Sequence, residues 1–161
     1  MSNVYRTLGF IVIAMLYLVV GVMAAVGTIS IFRKMLGPKS EQMFYALFLA
    51  LIAALYLAFL AYFGTVPAWP LEATVLAGFV AISLLGLRLP FALIVGYSLH
   101  GLWDLLHELH AQGGYFAAGN DHLTAIPLAY GFFCLSFDLT VAVYVFRRRP
   151  DWIAAWKAAP E

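Results

Sequence analysis

Long apolar runs alternate with short polar breaks along the chain, and the breaks separate five segments. Each segment is about the length that an α-helix needs to cross the roughly 30 Å hydrocarbon core of a bilayer. The predicted spans cover residues 8–32, 43–64, 70–87, 90–110 and 125–146. The pattern therefore predicts an all-α, polytopic membrane protein whose single transmembrane domain of five helices occupies residues 1–161.

Proline and charged residues mark the ends of several spans. Pro90 suits the first turn of the fourth helix, because its missing N–H has no helical partner there. The arginines at residues 147–149 are expected to end the fifth span. Behind them, Trp152 and Trp156 lie four residues apart, which predicts a short segment at the membrane interface.

The composition supports a membrane location. Hydrophobic residues make up 65% of the chain and charged residues 11%, with a mean hydropathy of +0.94. A soluble domain carries roughly 25% charged residues. The net charge of +1 gives no support for a nucleic-acid partner, and a single cysteine excludes an internal disulfide.

The distribution of positive charge predicts the orientation. With five spans, all of the nine Lys and Arg residues except Arg6 fall on one side of the membrane. The positive-inside rule then places the N-terminus outside and the C-terminus inside. We expect a multi-pass protein of the bacterial cytoplasmic (inner) membrane, with the lipid bilayer as its surroundings. Membrane-protein partners or a homo-oligomer remain open.

The fourth span carries ionisable residues where apolar ones are expected. His100, Asp104 and His107 lie at positions i, i+4 and i+7, so a helix places them on one face. A charge at membrane depth costs at least about 2.5–3.5 kcal/mol. This face therefore needs hydrogen-bond partners, a metal ion or a water-filled cavity.

Two other spans bring further groups to the same depth under the predicted topology. Glu72 lies near the outer end of the third span, level with residues 104–107. Cys134 and Asp138 share one face of the fifth span, near its middle. The first two spans contain no acid, base or histidine. Three helices are thus predicted to form a site in the outward-facing half of the membrane.

Histidine, carboxylate and thiolate are ligands of zinc and iron. His100 and His107 are about 10 Å apart along a helix, which disfavours a shared ion. The candidate metal ligands are therefore His100, Asp104, Asp138 and Cys134. His107 and Glu72 are the candidate catalytic residues, as proton carriers or as a second site. The expected cofactor is Zn or Fe.

A hydrogen-bonded structural network is the alternative interpretation of the same residues. Other polar residues are expected to have no role in the site. Glu108 and His110 are interpreted as solvated residues at the end of the fourth helix, and Asp121 and His122 as residues of an outer loop.

Two motifs carry a resemblance to a known family. The run His-Gly-Leu-Trp-Asp-Leu-Leu-His at residues 100–107 is followed by Cys-Leu-Ser-Phe-Asp at residues 134–138. The pair resembles a family of small uncharacterised bacterial membrane proteins with a His-x-x-Trp-Asp-x-x-His run and a Cys-x-x-x-Asp segment. Glu72, upstream, looks similar as well. The resemblance covers about residues 70–142 and implies the site residues without implying a reaction.

Three classes of function fit these observations. The first is a membrane-embedded metal-dependent enzyme acting on a lipid-like or isoprenoid substrate, in which the metal supplies a bound hydroxide. The second is a non-catalytic subunit of a larger complex, with His100 as an axial ligand of haem or a pigment. The third is an ion or proton pathway, which is disfavoured because no ionisable residue continues from Asp138 toward the inner face until Arg88 and Arg147.

Overall fold

The computed structural model describes residues 2–63, 66–113, 123–124 and 126–158. Over those ranges the chain forms five α-helices and one short 3₁₀ helix, which confirms the all-α class. The elements are α1 (Ser2–Met35), α2 (Pro38–Phe63), the 3₁₀ helix (Val66–Ala68), α3 (Trp69–Gly86), α4 (Pro90–Gly113) and α5 (Tyr130–Lys157).

In the described part of the chain, four helical segments are long and apolar enough to cross a membrane. They are Thr7–Met35, Pro38–Phe63, Val66–Gly86 and Tyr130–Lys157. The chain is therefore a multi-pass membrane protein by the length and composition of its helices. Helix α4 has 24 residues, enough to span, but it carries the ionisable face and is not among the four.

Helix α4 packs between α3 and α5 and runs antiparallel to both. The start of α3 meets the end of α4 where Glu72 faces His107. The start of α5 meets the same end of α4 at Gly131, where a Cβ atom would overlap the backbone carbonyl of Asp104. The polar face predicted for the fourth span is therefore enclosed by other helices.

Helix α2 completes the packing around α4. The Tyr97 hydroxyl on α4 donates a hydrogen bond of 2.8 Å to the Tyr45 carbonyl on α2. Around this contact, Leu49, Leu93 and Val145 are completely buried. In water, burial of such a side chain stabilises a folded core by about 1.5–3 kcal/mol. Within a membrane, the stabilisation comes instead from van der Waals packing between the helices.

Helix α1 packs mainly along α5. A Cβ atom on Gly21 would overlap the Ser136 side chain and the Phe133 carbonyl, so this glycine permits the close approach. Most large apolar side chains of α1 are otherwise exposed. That exposure is typical of a helix with one protein-facing side and a lipid-facing remainder.

The fifth helix differs from the prediction at both ends. The expected span was 125–146, whereas α5 covers Tyr130–Lys157 and continues past the arginine cluster. The expectation that the arginines end the fifth helix is therefore wrong, and Trp152 and Trp156 belong to the same helix. The reason is packing: Trp152 is completely buried and its indole N–H donates to Glu41 on α2 at 2.9 Å, while Arg148 binds the same carboxylate.

The other boundaries agree with the prediction more closely. The predicted spans 70–87 and 90–110 correspond to α3 and α4. Helix α1 is longer than the predicted first span at both ends. Helix α2 begins at Pro38 rather than at residue 43. Because of this earlier start, Glu41 and Gln42 are buried helical residues instead of members of a polar loop.

Candidate metal site

Helices α4 and α5 bring three of the candidate ligands together. Nδ1 of His100 lies 2.8 Å from Oδ2 of Asp138 and 3.6 Å from Oδ2 of Asp104. One ligand atom from each residue lies within 4.8 Å of the others, and all three side chains are buried. The group is compact enough to hold one metal ion. Asp138 of the fifth helix thus faces the fourth helix, in agreement with the site predicted between these spans.

A glycine in the first motif explains why α5 comes so close. His100 and Asp104 lie one turn apart on α4, and Gly101 lies next to them on the side of α5. A Cβ atom on Gly101 would lie 3.1 Å from the Asp138 Cβ and 3.1 Å from the Leu135 Cα. The missing side chain lets the Asp138 carboxylate reach the imidazole.

Helix α2 contributes a tyrosine that the sequence analysis missed. The Tyr56 hydroxyl donates a hydrogen bond of 2.6 Å to Oδ1 of Asp104, and its side chain is buried. A signal for it exists in the sequence, because Tyr45, Leu49, Tyr56 and Leu60 recur at helical spacing and are all buried on one face. A neutral tyrosine within an apolar run is nevertheless ordinarily interpreted as a packing residue.

His107 forms a separate pair with Glu72. Its Nε2 lies 2.7 Å from Oε1 of Glu72, and its Nδ1 lies 2.9 Å from the Trp103 carbonyl oxygen. A carbonyl only accepts, so Nδ1 carries a hydrogen, and the contact to the carboxylate needs a second proton. The backbone N–H of Thr124 also donates to Glu72 Oε1, at 3.0 Å. The pair therefore holds a shared proton.

Among the described residues, the metal-sized group includes His100 and leaves out His107. This agrees with the expectation that the two histidines do not share an ion. Cys134 is buried one turn before Asp138 and neighbours both Asp104 and Tyr130. It lies outside the three-residue group, so its predicted role as a ligand stays a prediction.

The interpretation of Glu108 as a solvated helix-end residue is wrong. Glu108 is 1% exposed, and its two carboxylate oxygens accept the backbone N–H groups of Ala129 at 2.9 Å and Gly131 at 3.3 Å. These donors lie at the start of α5, where the first N–H groups of a helix lack helical partners and the helix dipole favours a negative charge. Glu108 therefore caps α5 from a neighbouring helix.

Two other residues of that region can be placed only in part. His110 is half-buried near the end of α4. Asp121 and His122, which were expected in an outer loop, lie outside the described residues.

The three-residue group retains unpaired acceptor atoms. Oδ2 of Asp104 and Oδ1 of Asp138 are buried and have no hydrogen-bond partner in the described part of the chain. A buried polar atom without a partner costs roughly 1–3 kcal/mol, and more when charged. Carboxylate oxygens are also the atoms that bind divalent cations. Both observations fit the chemistry of a metal site.

An apolar layer separates this group from the opposite end of the bundle. The layer is formed by the completely buried side chains Leu49, Leu93, Tyr97, Val141 and Val145. Within the described ranges, this layer contains no acid, base or histidine. The acids and histidines of the site therefore do not continue through this layer, in which Tyr97 supplies a hydroxyl that donates to the Tyr45 carbonyl.

Residues 16–151 match a family of unknown function, DUF6010. The chain belongs to this family. The DUF6010 match includes all of α2, α3 and α4 and every residue of the site. The expected kinship with an uncharacterised family is confirmed at that level. No curated protein and no solved structure gives a significant match.

Proposed function

We propose that this DUF6010 protein binds one divalent metal ion, zinc or iron, between α4 and α5. His100, Asp104 and Asp138 would be its ligands. The observation that carries the proposal is their convergence within 4.8 Å, fully buried, with two carboxylate oxygens left unpaired. Two carboxylates beside one imidazole offer more negative than positive charge, which a divalent cation would balance.

The residues around the group suit a reactive rather than a purely structural site. The Tyr56 hydroxyl fixes one oxygen of Asp104 and leaves the other free. His107 lies one to two turns of α4 beyond Asp104 and His100. The proton that it shares with Glu72 of α3 could move from there to or from a bound molecule. A bound zinc or iron would supply a hydroxide nucleophile. We infer a lipid-like or isoprenoid substrate that enters from the bilayer.

The geometry gives less support to the two alternatives. For a haem or pigment ligand, His100 would need a free ring nitrogen with open space beside it for a large planar ring. Its Nε2 has no hydrogen-bond partner among the described residues, but His100 is only 1% exposed, and its ring lies 5.1 Å from that of Phe79 and 6.4 Å from that of Tyr56. For an ion pathway, the apolar layer would have to open. A closed site requires neither change.

We also propose five membrane crossings, with α4 as the fourth and the N-terminus outside. The antiparallel packing of α4 between two apolar helices supports this assignment. A periplasm-active reporter should then work at the N-terminus and fail at the C-terminus. Reporter activity at the C-terminus would contradict the topology and the outward position of the site.

Metal analysis of the purified protein tests the site itself. We expect about one zinc or iron per chain in the wild type and loss of the metal in Asp104→Asn, which keeps the shape but removes an anionic oxygen. Asp151→Asn is the matched control, because this acid on α5 has a side chain that is 57% exposed. Full metal occupancy and unchanged thermal stability in Asp104→Asn would overturn the proposal.

A further inference from the structure

A cavity lies between the middle of α1 and the beginning of α5. It has a volume of ≈ 590 Å³. The described residues that line it carry no charge and are mainly apolar, among them Leu16, Val20, Leu128 and Phe133. The side chains of Leu16, Val20 and Leu128 are exposed on the outside of the bundle. The cavity therefore opens toward the surface that faces lipid.

Two contacts between α1 and α5 flank the α1 side of the cavity. The rings of Phe10 and Phe132 meet with their centroids 5.8 Å apart, and the missing side chain of Gly21 lets α1 approach the Phe133 carbonyl. Phe10 and Gly21 are about 17 Å apart along a helix. A membrane-spanning helix of a partner is about 30 Å long and does not fit between these contacts. The opening suits a flexible chain instead.

We propose that this cavity binds one hydrocarbon tail, the acyl or isoprenoid chain of a membrane lipid. Its volume has room for roughly 20 groups of the size of a water molecule or a methylene, which is enough for one such tail. An apolar cavity takes apolar ligands in preference to water, and an empty one would forfeit van der Waals contacts along its lining. Lipid tails are the apolar chains that surround a membrane protein, so they reach the opening directly.

Tyr130 links the cavity to the proposed metal site. Its side chain lines the cavity, and its ring centroid lies 5.1 Å from that of Phe59 on α2. Tyr130 also neighbours Cys134, which in turn neighbours Asp104. A tail bound here would thus belong to a lipid substrate of that site. In naming where such a substrate binds, the inference rests on the proposed function, although binding of the tail itself does not need the metal.

Photolabelling of the purified full-length protein in detergent micelles tests the tail site. The probe is a phosphatidylcholine with a diazirine at the end of one acyl chain. We expect labelling of the cavity residues to saturate as the probe concentration rises, because detergent displaces lipid that lies loosely on the surface. Val20→Trp fills the cavity and should raise the half-saturating concentration about tenfold. Val19→Trp is the matched control, since Val19 is 53% exposed and does not line the cavity.

Leu16→Trp repeats the test from a second position of the lining. Three results would overturn the tail site: labelling that does not saturate, labelling spread evenly over the exposed residues of α1, or unchanged labelling in both cavity variants. A dimeric protein whose cavity is not labelled would assign the cavity to a second copy of this chain, which would overturn the tail site as well.

The metal proposal is separated from the tail site by two further measurements. Asp138→Asn should lose the metal yet keep saturable labelling, and Val20→Trp should keep the metal. Saturable labelling of a wild type that binds no metal would retain the tail site and refute the metal site alone. A wild type that binds metal but shows no saturable labelling would have the opposite meaning.

Discussion

Two buried polar clusters occupy opposite parts of the same helical bundle. The His100 cluster consists of His100, Asp104, Asp138 and Tyr56. The Glu41 cluster consists of Glu41, Tyr144, Arg148 and Trp152, and it joins the first turn of α2 to the last turns of α5. Both clusters contain buried carboxylates, so burial alone does not distinguish them.

The Glu41 cluster is fully paired. One carboxylate oxygen of Glu41 accepts the Tyr144 hydroxyl, and the other accepts Nε of Arg148 at 3.0 Å and the Trp152 indole N–H at 2.9 Å. The buried Glu41 carboxylate thus meets the Arg148 guanidinium, which also pairs with the exposed Asp151, and each polar side chain of the cluster has a partner. These are the conditions under which a buried ion pair is retained as a structural contact.

The His100 cluster meets neither condition. Its two carboxyl groups face one imidazole, and Asp104 and Asp138 each keep an unpaired oxygen. The comparison teaches that the count of partners and charges separates a structural network from a ligand site. A cluster with two carboxyl groups, one imidazole and free acceptor atoms could hold a cation that the chain itself does not supply, which is the basis of the proposed metal site.

The largest expected effect is the loss of stability in Glu41→Gln. This change should lower the free energy of unfolding by about 3–5 kcal/mol, because the Tyr144 hydroxyl, the Trp152 indole N–H and Arg148 Nε all lose a charged acceptor. Asp138→Asn, in metal-free protein, should change it by less than about 1 kcal/mol, since it removes a charge that is already in excess. Denaturant unfolding in micelles gives both values. Equal losses of unfolding free energy would show that the two clusters stabilise the bundle to the same extent.

Several features of this comparison could be predicted from the sequence. The helical spacing and the cost of charge in a membrane identified His100, Asp104 and Asp138, because acids and histidines are conspicuous in an apolar chain. The Glu41 cluster could not be found in the same way. Glu41 and Arg148 each lie among other polar residues near a predicted helix end, where exposure to water is the ordinary expectation.

The remaining differences also come from packing between distant residues. The long α5 depends on the burial of Trp152 against α2, which no local pattern records. The capping role of Glu108 depends on the close approach of α4 and α5 at Gly131. Tyr56 was missed because a buried tyrosine is common as a packing side chain, and the sequence does not show which group its hydroxyl will meet. Sequence periodicity predicts faces of helices, whereas these three roles depend on which faces meet.

An intermediate effect is expected where glycines set the distance between helices. Gly131→Ala should lower the free energy of unfolding by about 1–3 kcal/mol, because the new methyl group would overlap the Asp104 backbone. Gly86→Ala, nearer the Glu41 cluster, meets Cδ2 and Cγ of the buried Leu93 side chain rather than backbone atoms and should cost less. Gly78→Ala is the control, since open space surrounds it and Ala favours a helix by roughly 0.5–1 kcal/mol. A greater loss in Gly86→Ala would contradict this order.

The smallest expected effect distinguishes the clusters through one hydroxyl each. Tyr56→Phe removes the hydrogen bond that orients Asp104, so we expect metal affinity to fall about tenfold, as for other groups that orient a ligand. Tyr144→Phe removes the corresponding hydrogen bond to Glu41 and should leave metal affinity unchanged. Each change should alter the free energy of unfolding by about 1 kcal/mol. Metal titration of both variants decides the matter: equal affinities would mean that Tyr56 stabilises the bundle without positioning a ligand.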